Sequence, residues 1–518
     1  MIAFDINRPE VIMINENGAW QVDNGRVCVA DGKVTVAAGA PLYGVQLVYK
    51  TGFERSARFF GDAWERGYGN LEWRGLVPER LMPWYMHIDE QGVNSFIGVM
   101  TQPGAFVGFR SGSSCVTVDI DLRSGGGPVD LSGRQLEACT LVAEFNRDGI
   151  SAYDFQREML KKLCPVVKLA KQPVYGGNNW YYAYGVSSRE EMLADAAFIS
   201  RLSDNQENRP YMVIDDGWQL HHKEQGGCCG GPWTGNEDYG DTASLAKEMA
   251  ALGVKPGIWI RPLYMAEEPK PEWITGKNGS NWQIDASNPE VIDHVRAIVR
   301  DLRSQGYQLI KHDFSTYDIF NHWGFQVTGK RMGAGCKMMD NTRTNAEIIR
   351  DLYRAIAEEA GDDCVIIGCN TVSHIAAGLF EIQRTGDDTS GQNWERTRYM
   401  GPNTLAMRMP QHRIFYDCDA DCAPITPDVP WALAEKWLDV LSRSGTPLFV
   451  SARPGTMTPE QEQAIREAFS RAAVNVTPAE PIDWQDTVQP SIWKCADGIH
   501  EYNFNAFYGD RDGSAWWR

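Results

Sequence analysis

The sequence predicts a multidomain α/β plus β chain. An N-terminal antiparallel β-sandwich is expected over residues 1–165, a central (β/α)8 TIM barrel over 166–472 and a short C-terminal β-rich segment over 473–518. Three observations carry this reading. Short alternating runs separated by Gly, Asp, Asn and Ser dominate the first part, as in antiparallel sheets. After Pro173 strand-like and helix-like segments alternate, which is the pattern of βα units on a parallel sheet. Polar and aromatic residues gather where each later apolar run ends, and in a barrel that rim carries the chemistry.

In the first part the strand-like runs are RVCVA, KVTVAA, YGVQLVY, SFIGVM, CVTVDIDL and LEACTLVAEF. A helix near Ala152–Leu163 and the segment CPVVKLAKQP mark the expected boundary. The barrel strands follow as VYGGNNWYYA, YMVIDDGW, KPGIWIRP, YQLIKHDF, CVIIGCN, LFEIQRTGDD, HRIFYDCDADC and TPLFVSA. Amphipathic stretches between them include REEMLADAAFISRL, TASLAKEMAALG, NPEVIDHVRAIVRDLRSQG and NAEIIRDLYRAIAEEAG. In TPEQEQAIREAF, Thr458 has the chemistry of an N-cap, Pro459 suits the first helical position and Gln461 completes a capping box. From about Ala473 only weak strand signals remain.

Composition narrows the function class. A chain of 518 residues with 43% hydrophobic and 23% charged residues is an ordinary multidomain globular protein. Its formal net charge of −18 argues against nucleic acid or anionic membrane as the main partner, since both attract basic patches. The first residues, MIAFDINRPEVIMINENG, have neither the basic nor the apolar region of a signal peptide. No apolar run reaches membrane-spanning length. The 12 Cys are expected to be reduced thiols and the location cytoplasmic. The 18 Trp suit sugar stacking and a large core equally. The oligomeric state, monomer or homo-oligomer, is left open.

The candidate chemistry lies at the strand ends. Asp313 closes YQLIKHDF, and Lys311, two residues back, points to the same side of the strand and would keep a carboxylate ionised. Asp387 and Asp388 close LFEIQRTGDD, just after Arg384. Two carboxylates delivered to one rim are the minimum set for cleaving a glycosidic bond. Asp215 and Asp216 end YMVIDDGW, where packing does not explain them, because unpaired buried carboxylates are costly. Trp180, Trp218, Trp259, Arg261, Cys369 and Asn370 end other strands and are candidate substrate contacts. Thr371 and His374 lie beyond Asn370. Asp417, Asp419 and Asp421 in YDCDADC lack an EF-hand loop or a zinc-type Cys/His set, so no metal or other cofactor is expected. The vicinal Cys228-Cys229 pair sits in a Gly-rich loop, HHKEQGGCCGGPW, read as a cover over the rim.

YMVIDDGWQ, KPGIWIRP, YQLIKHDF and QRTGDDTSG occur in the order seen in clan D glycoside hydrolases. The chain resembles the α-galactosidases and relatives of families 27 and 36, closer to family 36, over about residues 174–470. WTGNEDYGDTASLAKEMAALGVKPGIW, WQIDASNPEVIDHV and TPLFVSARPGTMTPEQEQAI extend the likeness. The resemblance implies a retaining exo-glycosidase for terminal α-galactosides, with an oligosaccharide or glycoside substrate. It implies Asp313 as nucleophile and Asp387 as acid/base, Asp388 being the rival. It implies Asp215 and Asp216 as ligands of the sugar 4-OH and 6-OH, and Lys311, Arg384 and Trp180 as pocket residues. Three departures mark a divergent subgroup: GCNTVSHIAAG in place of a Cys and Gly-rich run, TGDDTSG without the usual second acid, and a shortened C-terminal part. An α-N-acetylgalactosaminide or a β-L-arabinopyranoside shares the ring stereochemistry and stays open, as does a non-catalytic carbohydrate-binding barrel.

Overall fold

The computed structural model describes residues 2, 4–203, 206–327 and 337–505. Two six-stranded antiparallel sheets form the N-terminal part. In one, Leu42–Lys50 and Cys115–Asp121 are central; in the other, the long strand Gln135–Arg147 lies between Lys33–Ala37 and Val93–Val99. Each expected run is part of a strand, because apolar side chains on alternate positions face the core, as in Cys115–Asp121. Ser151 then caps the helix Ala152–Leu163, its hydroxyl accepting the Asp154 N–H at 3.0 Å.

The second part is a curled sheet of nine parallel strands. In chain order they are Tyr175–Asn178, Tyr211–Ile214, Lys255–Ile260, Leu309–His312, Val365–Gly368, Ile382–Arg384, Asp417–Asp419, Cys422–Ile425 and Leu448–Ala452. Strands such as YMVI and LIKH are buried along their whole length, as expected of a sheet covered on both faces. Helices Arg189–Leu202, Thr242–Ala251, Pro289–Ser304, Asn345–Ala360 and Trp431–Ser444 lie between them in the chain, and Pro459–Ala472 follows the last. The Thr458 capping box forms: the Thr458 hydroxyl accepts the Gln461 N–H at 3.3 Å, and the Gln461 side chain accepts the Thr458 N–H at 2.9 Å.

The structure differs from the sequence expectation in two details. In VYGGNNWYYA the strand stops at Asn178, and Trp180–Ala183 is a helical turn, because the Asn178 side chain takes the Trp180 N–H at 2.8 Å. HRIFYDCDADC is not one strand. Asp417–Asp419 pairs with Ile382–Arg384, whereas Cys422–Ile425 pairs with Leu448–Ala452. These are the two end strands of the sheet, and only Ala420 and Asp421 separate them in the chain. The C-terminal β-rich segment is a three-stranded sheet of Glu480–Pro481, Ile492–Cys495 and Gly498–Glu501. Its expected continuation over 506–518 lies outside the described residues.

The two parts are joined at the sheet's C-terminal rim. The irregular stretch 62–71 of the sandwich lies on the turn after Ile382–Arg384. Gly67 donates its N–H to the Thr385 carbonyl at 2.8 Å, and Asp387 donates back to the Gly67 carbonyl at 2.9 Å. A buried ion pair, Asp62 with Arg408 at 2.8 Å, anchors one end of this stretch. Among the described residues no helix is long and apolar enough to cross a membrane.

Candidate active site

Asp313 follows the strand Leu309–His312 and is 7% exposed. One oxygen accepts the Phe314 N–H at 2.8 Å and the other the Trp259 indole N–H at 3.1 Å. Neither donor is a cation, so the carboxylate is oriented by neutral groups. Lys311 does share its side of the strand, but its ammonium bonds Asp215 at 2.8 Å instead. Burial works against the Lys311 charge, yet Asp215 outweighs it and holds the ammonium well above its ordinary value. Burial in turn pushes the Asp215 carboxyl up, against Lys311 and the Asn178 amide, which donates at 2.6 Å.

Asp216 is committed on both oxygens. Gln219 donates to one at 2.6 Å and the Cys228 N–H to the other at 2.6 Å, with His222 at 3.7 Å. The Cys228 carbonyl accepts from Arg261 at 2.8 Å, so the Gly-rich loop is tied at one residue to two strand ends. Arg261 forks onto the buried Asp318, with contacts of 2.5–3.2 Å, and lies over the Tyr264 and Phe314 rings. Trp218 is fully buried, its indole donating to the Trp259 carbonyl at 3.0 Å, so it supports Trp259 from behind. Trp180 is half-buried beside Tyr184.

The sheet also brings Cys369, Arg384, Asp387 and Asp388 together. The buried Cys369 thiol receives Arg384 at 3.4 Å and Arg66 at 3.5 Å. Asn370 is buried and turned away to Glu65, donating to both carboxylate oxygens at 2.9 Å. Thr371 bonds Gln383 at 2.8 Å and His374 bonds the Val99 carbonyl at 2.7 Å, both as buried structural contacts.

The acidic turn is dominated by arginines. Asp387 lies between Arg66 at 2.7 Å and Arg396 at 2.9 Å, one on each oxygen. Asp388 uses a single oxygen for longer contacts, 3.4 Å to Arg66 and 3.3 Å to Arg384. Its side chain is 36% exposed against 17% for Asp387. Burial alone would raise the Asp388 carboxyl, but Arg66, Arg384, Lys311 and Arg396 together hold it well below the usual carboxylate range.

Glu65, Arg66, Asn178 and Arg396 are site residues that sequence reasoning did not single out. Asn178 carried no signal beyond its nearness to a strand end, and Arg396, in the short helix Trp394–Arg398, carried none. Arg66 lies in GDAWERGYGN, whose only signal is charge and aromatics in a Gly-rich break in the alternation. As for metals, Asp417, Asp419 and Asp421 do not converge as ligands. Among the described residues one group has suitable geometry: Cys495, Asp497 and His500, with ligand atoms within 4.8 Å of one another. Asp497 there is already bonded to Arg443 and His500.

Comparison with solved structures places this architecture. The chain has the fold of family 36 α-galactosidases. It superposes on an α-galactosidase from Thermus thermophilus, solved with p-nitrophenyl α-D-galactopyranoside, with a TM-score of 0.61 at 17% identity, covering 95% of this chain and 98% of that one. The family 36 α-galactosidase AgaA from Geobacillus stearothermophilus matches with a TM-score of 0.61 at 12% identity, over 90% of this chain and 70% of that one. A variant of AgaA has been solved with raffinose. No protein-family model matches the chain.

Proposed function

We propose that the chain is a retaining exo-glycosidase for terminal α-galactosides or a sugar of the same ring stereochemistry. The observation that carries this is Asp313: a strand-end carboxylate fixed by two neutral N–H donors, at the same rim as a second, partly exposed acid. That is the arrangement a nucleophile needs, aimed and, among the described residues, not ion-paired. The sheet is read as a barrel whose seventh strand is broken at Ala420–Asp421. Asp313 attacks the anomeric carbon, a proton passes to the leaving oxygen, and a covalent glycosyl ester forms. Water then cleaves the ester, deprotonated by the residue that first gave the proton.

Within the Asp387–Asp388 pair the geometry favours Asp388 as acid/base, taking up its proton in a Michaelis complex where bound sugar shields it from the arginines that otherwise keep it ionised. Both Asp387 oxygens are held by arginines, whereas Asp388 keeps one oxygen without a hydrogen bond among the described residues. Asp387 then serves to hold Arg66. Asp216 accepts one hydrogen bond on each oxygen, from Gln219 and from the Cys228 N–H, and keeps an acceptor position on each for a sugar hydroxyl.

The test is turnover of aryl α-galactoside, α-N-acetylgalactosaminide, β-L-arabinopyranoside and α-glucoside by the protein and by Asp313→Asn. Turnover of one of the first three, abolished in the variant and releasing the sugar with its configuration retained, supports the reading. A folded protein inert on all four, and on raffinose, favours a carbohydrate-binding barrel.

A further inference from the structure

The acids of YDCDADC have no part in the chemistry so far, yet one of them lies directly behind it. Asp421 sits at the break between the end strands Asp417–Asp419 and Cys422–Ile425 and is 5% exposed. Its φ of +70° is a left-handed conformation that a non-glycine residue adopts only when its surroundings impose it. The surroundings here are four donors on one carboxylate oxygen. Arg384 approaches at 2.7 Å, the Thr389 N–H at 2.8 Å, the Thr389 hydroxyl at 3.1 Å, and the Tyr181 phenol makes a short contact. A second tie, the Asp421 N–H to Asp419 at 2.9 Å, fixes the break itself.

These donors flank Asp388 on both sides. Thr389 is its chain neighbour, and Arg384 reaches it at 3.3 Å with the same guanidinium nitrogen that holds Asp421. We propose that Asp421 is a positioning residue for the acid/base: it fixes the peptide that carries Asp388 and draws the Arg384 charge away from it. This rests on the proposed retaining reaction with Asp388 as proton donor, and it gives the broken strand a purpose. A continuous strand would leave no residue free to turn its carboxylate onto Arg384 and Thr389 at once.

The electrostatic consequence follows from the groups around Asp388. The cations facing it are Arg66 from the sandwich, Arg384 and Arg396 from its own segment, and Lys311 from the Asp313 strand. Beside Arg66 lies Asp387, and the titratable neutral groups near Asp388 are Tyr181, Tyr184 and the Cys228 thiol. Removing the Asp421 charge leaves Arg384 to Asp388, with Asp419 at 3.9 Å the more distant anion and the Cys369 thiol at 3.4 Å, and deletes a nearby anion. Both effects favour ionised Asp388, so proton donation weakens.

The experiment compares methyl and 2,4-dinitrophenyl α-D-galactopyranoside with Asp421→Asn, reading kcat and kcat/KM against pH. The expected result is a loss at least tenfold larger on the methyl glycoside, which needs the proton, and a basic limb of kcat/KM moved to lower pH. Equal losses on both substrates with an unmoved limb would make Asp421 merely structural and overturn the proposal. Asp388→Asn, run alongside, must itself discriminate between the two leaving groups. If it does not, the acid/base reading fails and takes the proposal with it; if it does and Asp421→Asn does not, only the proposal fails. Should Asp421→Asn not fold, Tyr181→Phe carries the test. It strips one donor from the shared oxygen and frees it for Arg384, so the limb should move to higher pH, and an unmoved limb would count against the proposal.

Discussion

Arg66 of the N-terminal sandwich lies 2.7 Å from Asp387 of the parallel sheet, with 3.4 Å from the same guanidinium to Asp388. The candidate site is therefore not built by the sheet alone. The sandwich supplies a cation at the acidic turn, and Gly67 beside it is hydrogen-bonded to that turn on both sides.

Arg66→Met should have two effects. It leaves Asp387 with one arginine and removes a cation that holds Asp388 low, so the basic limb of kcat/KM should move to higher pH. Breaking a buried pair by deleting one partner costs about 3 kcal/mol, so the melting temperature should also drop. Steady-state kinetics across pH and a thermal melt check both. A limb that stays in place would show that Arg66 does not act on Asp388.

Trp259→Phe should cost activity without unfolding the protein. A smaller aromatic ring is kept, and what is lost is some buried volume and the indole donor to Asp313 at 3.1 Å. A hydrogen bond to a charged group is worth about 1.5–3 kcal/mol, which corresponds to roughly 10- to 100-fold in rate if it is strongest in the transition state. Pre-steady-state release of the aryl group would read the change on the first step.

Gly386→Ala should be severe although the change is small. A Cβ there would lie 2.4 Å from the Met400 carbonyl oxygen and 2.4 Å from the Thr404 hydroxyl. The turn bearing Asp387 and Asp388 would have to move, so activity should fall together with melting temperature. Gly75→Ala, where a Cβ meets nothing within 4 Å, is the control.

Asp195 gives a stability test away from the site. Burial pushes its carboxyl up to about 7, while the Tyr182 hydroxyl that it accepts works the other way. An unfolded Asp titrates near about 4, so folding stability is lost as pH rises from there through about 7. Asp195→Asn should therefore raise the melting temperature at about pH 8 and change it little at about pH 4. An equal change at both would refute the linkage.

His222 has the opposite sense. Its contact with Asp216 raises the imidazole above its ordinary value, against burial. The stabilisation is full below about pH 6.5, the unfolded value, and is lost as pH rises through the folded one. The melting temperatures of His222→Gln and the parent should differ most at about pH 5.5 and converge in alkali.

The sequence determined the order of elements and the strand ends that carry acids. Period-two runs marked the sandwich, and buried tetrads such as YMVI and LIKH marked the parallel sheet, because local periodicity reports which faces are covered. Asp313, Asp215, Asp216, Asp387 and Asp388 could be read because a carboxylate that ends an apolar run is costly to bury and so stands out. What each acid touches was decided by tertiary structure. Lys311 chose Asp215 over Asp313, Asp421 turned onto Arg384 and Thr389, and Arg66 reached Asp387 across 321 positions of chain. Ion pairs of this kind depend on distances that only folding sets, and no periodicity in the sequence encodes them.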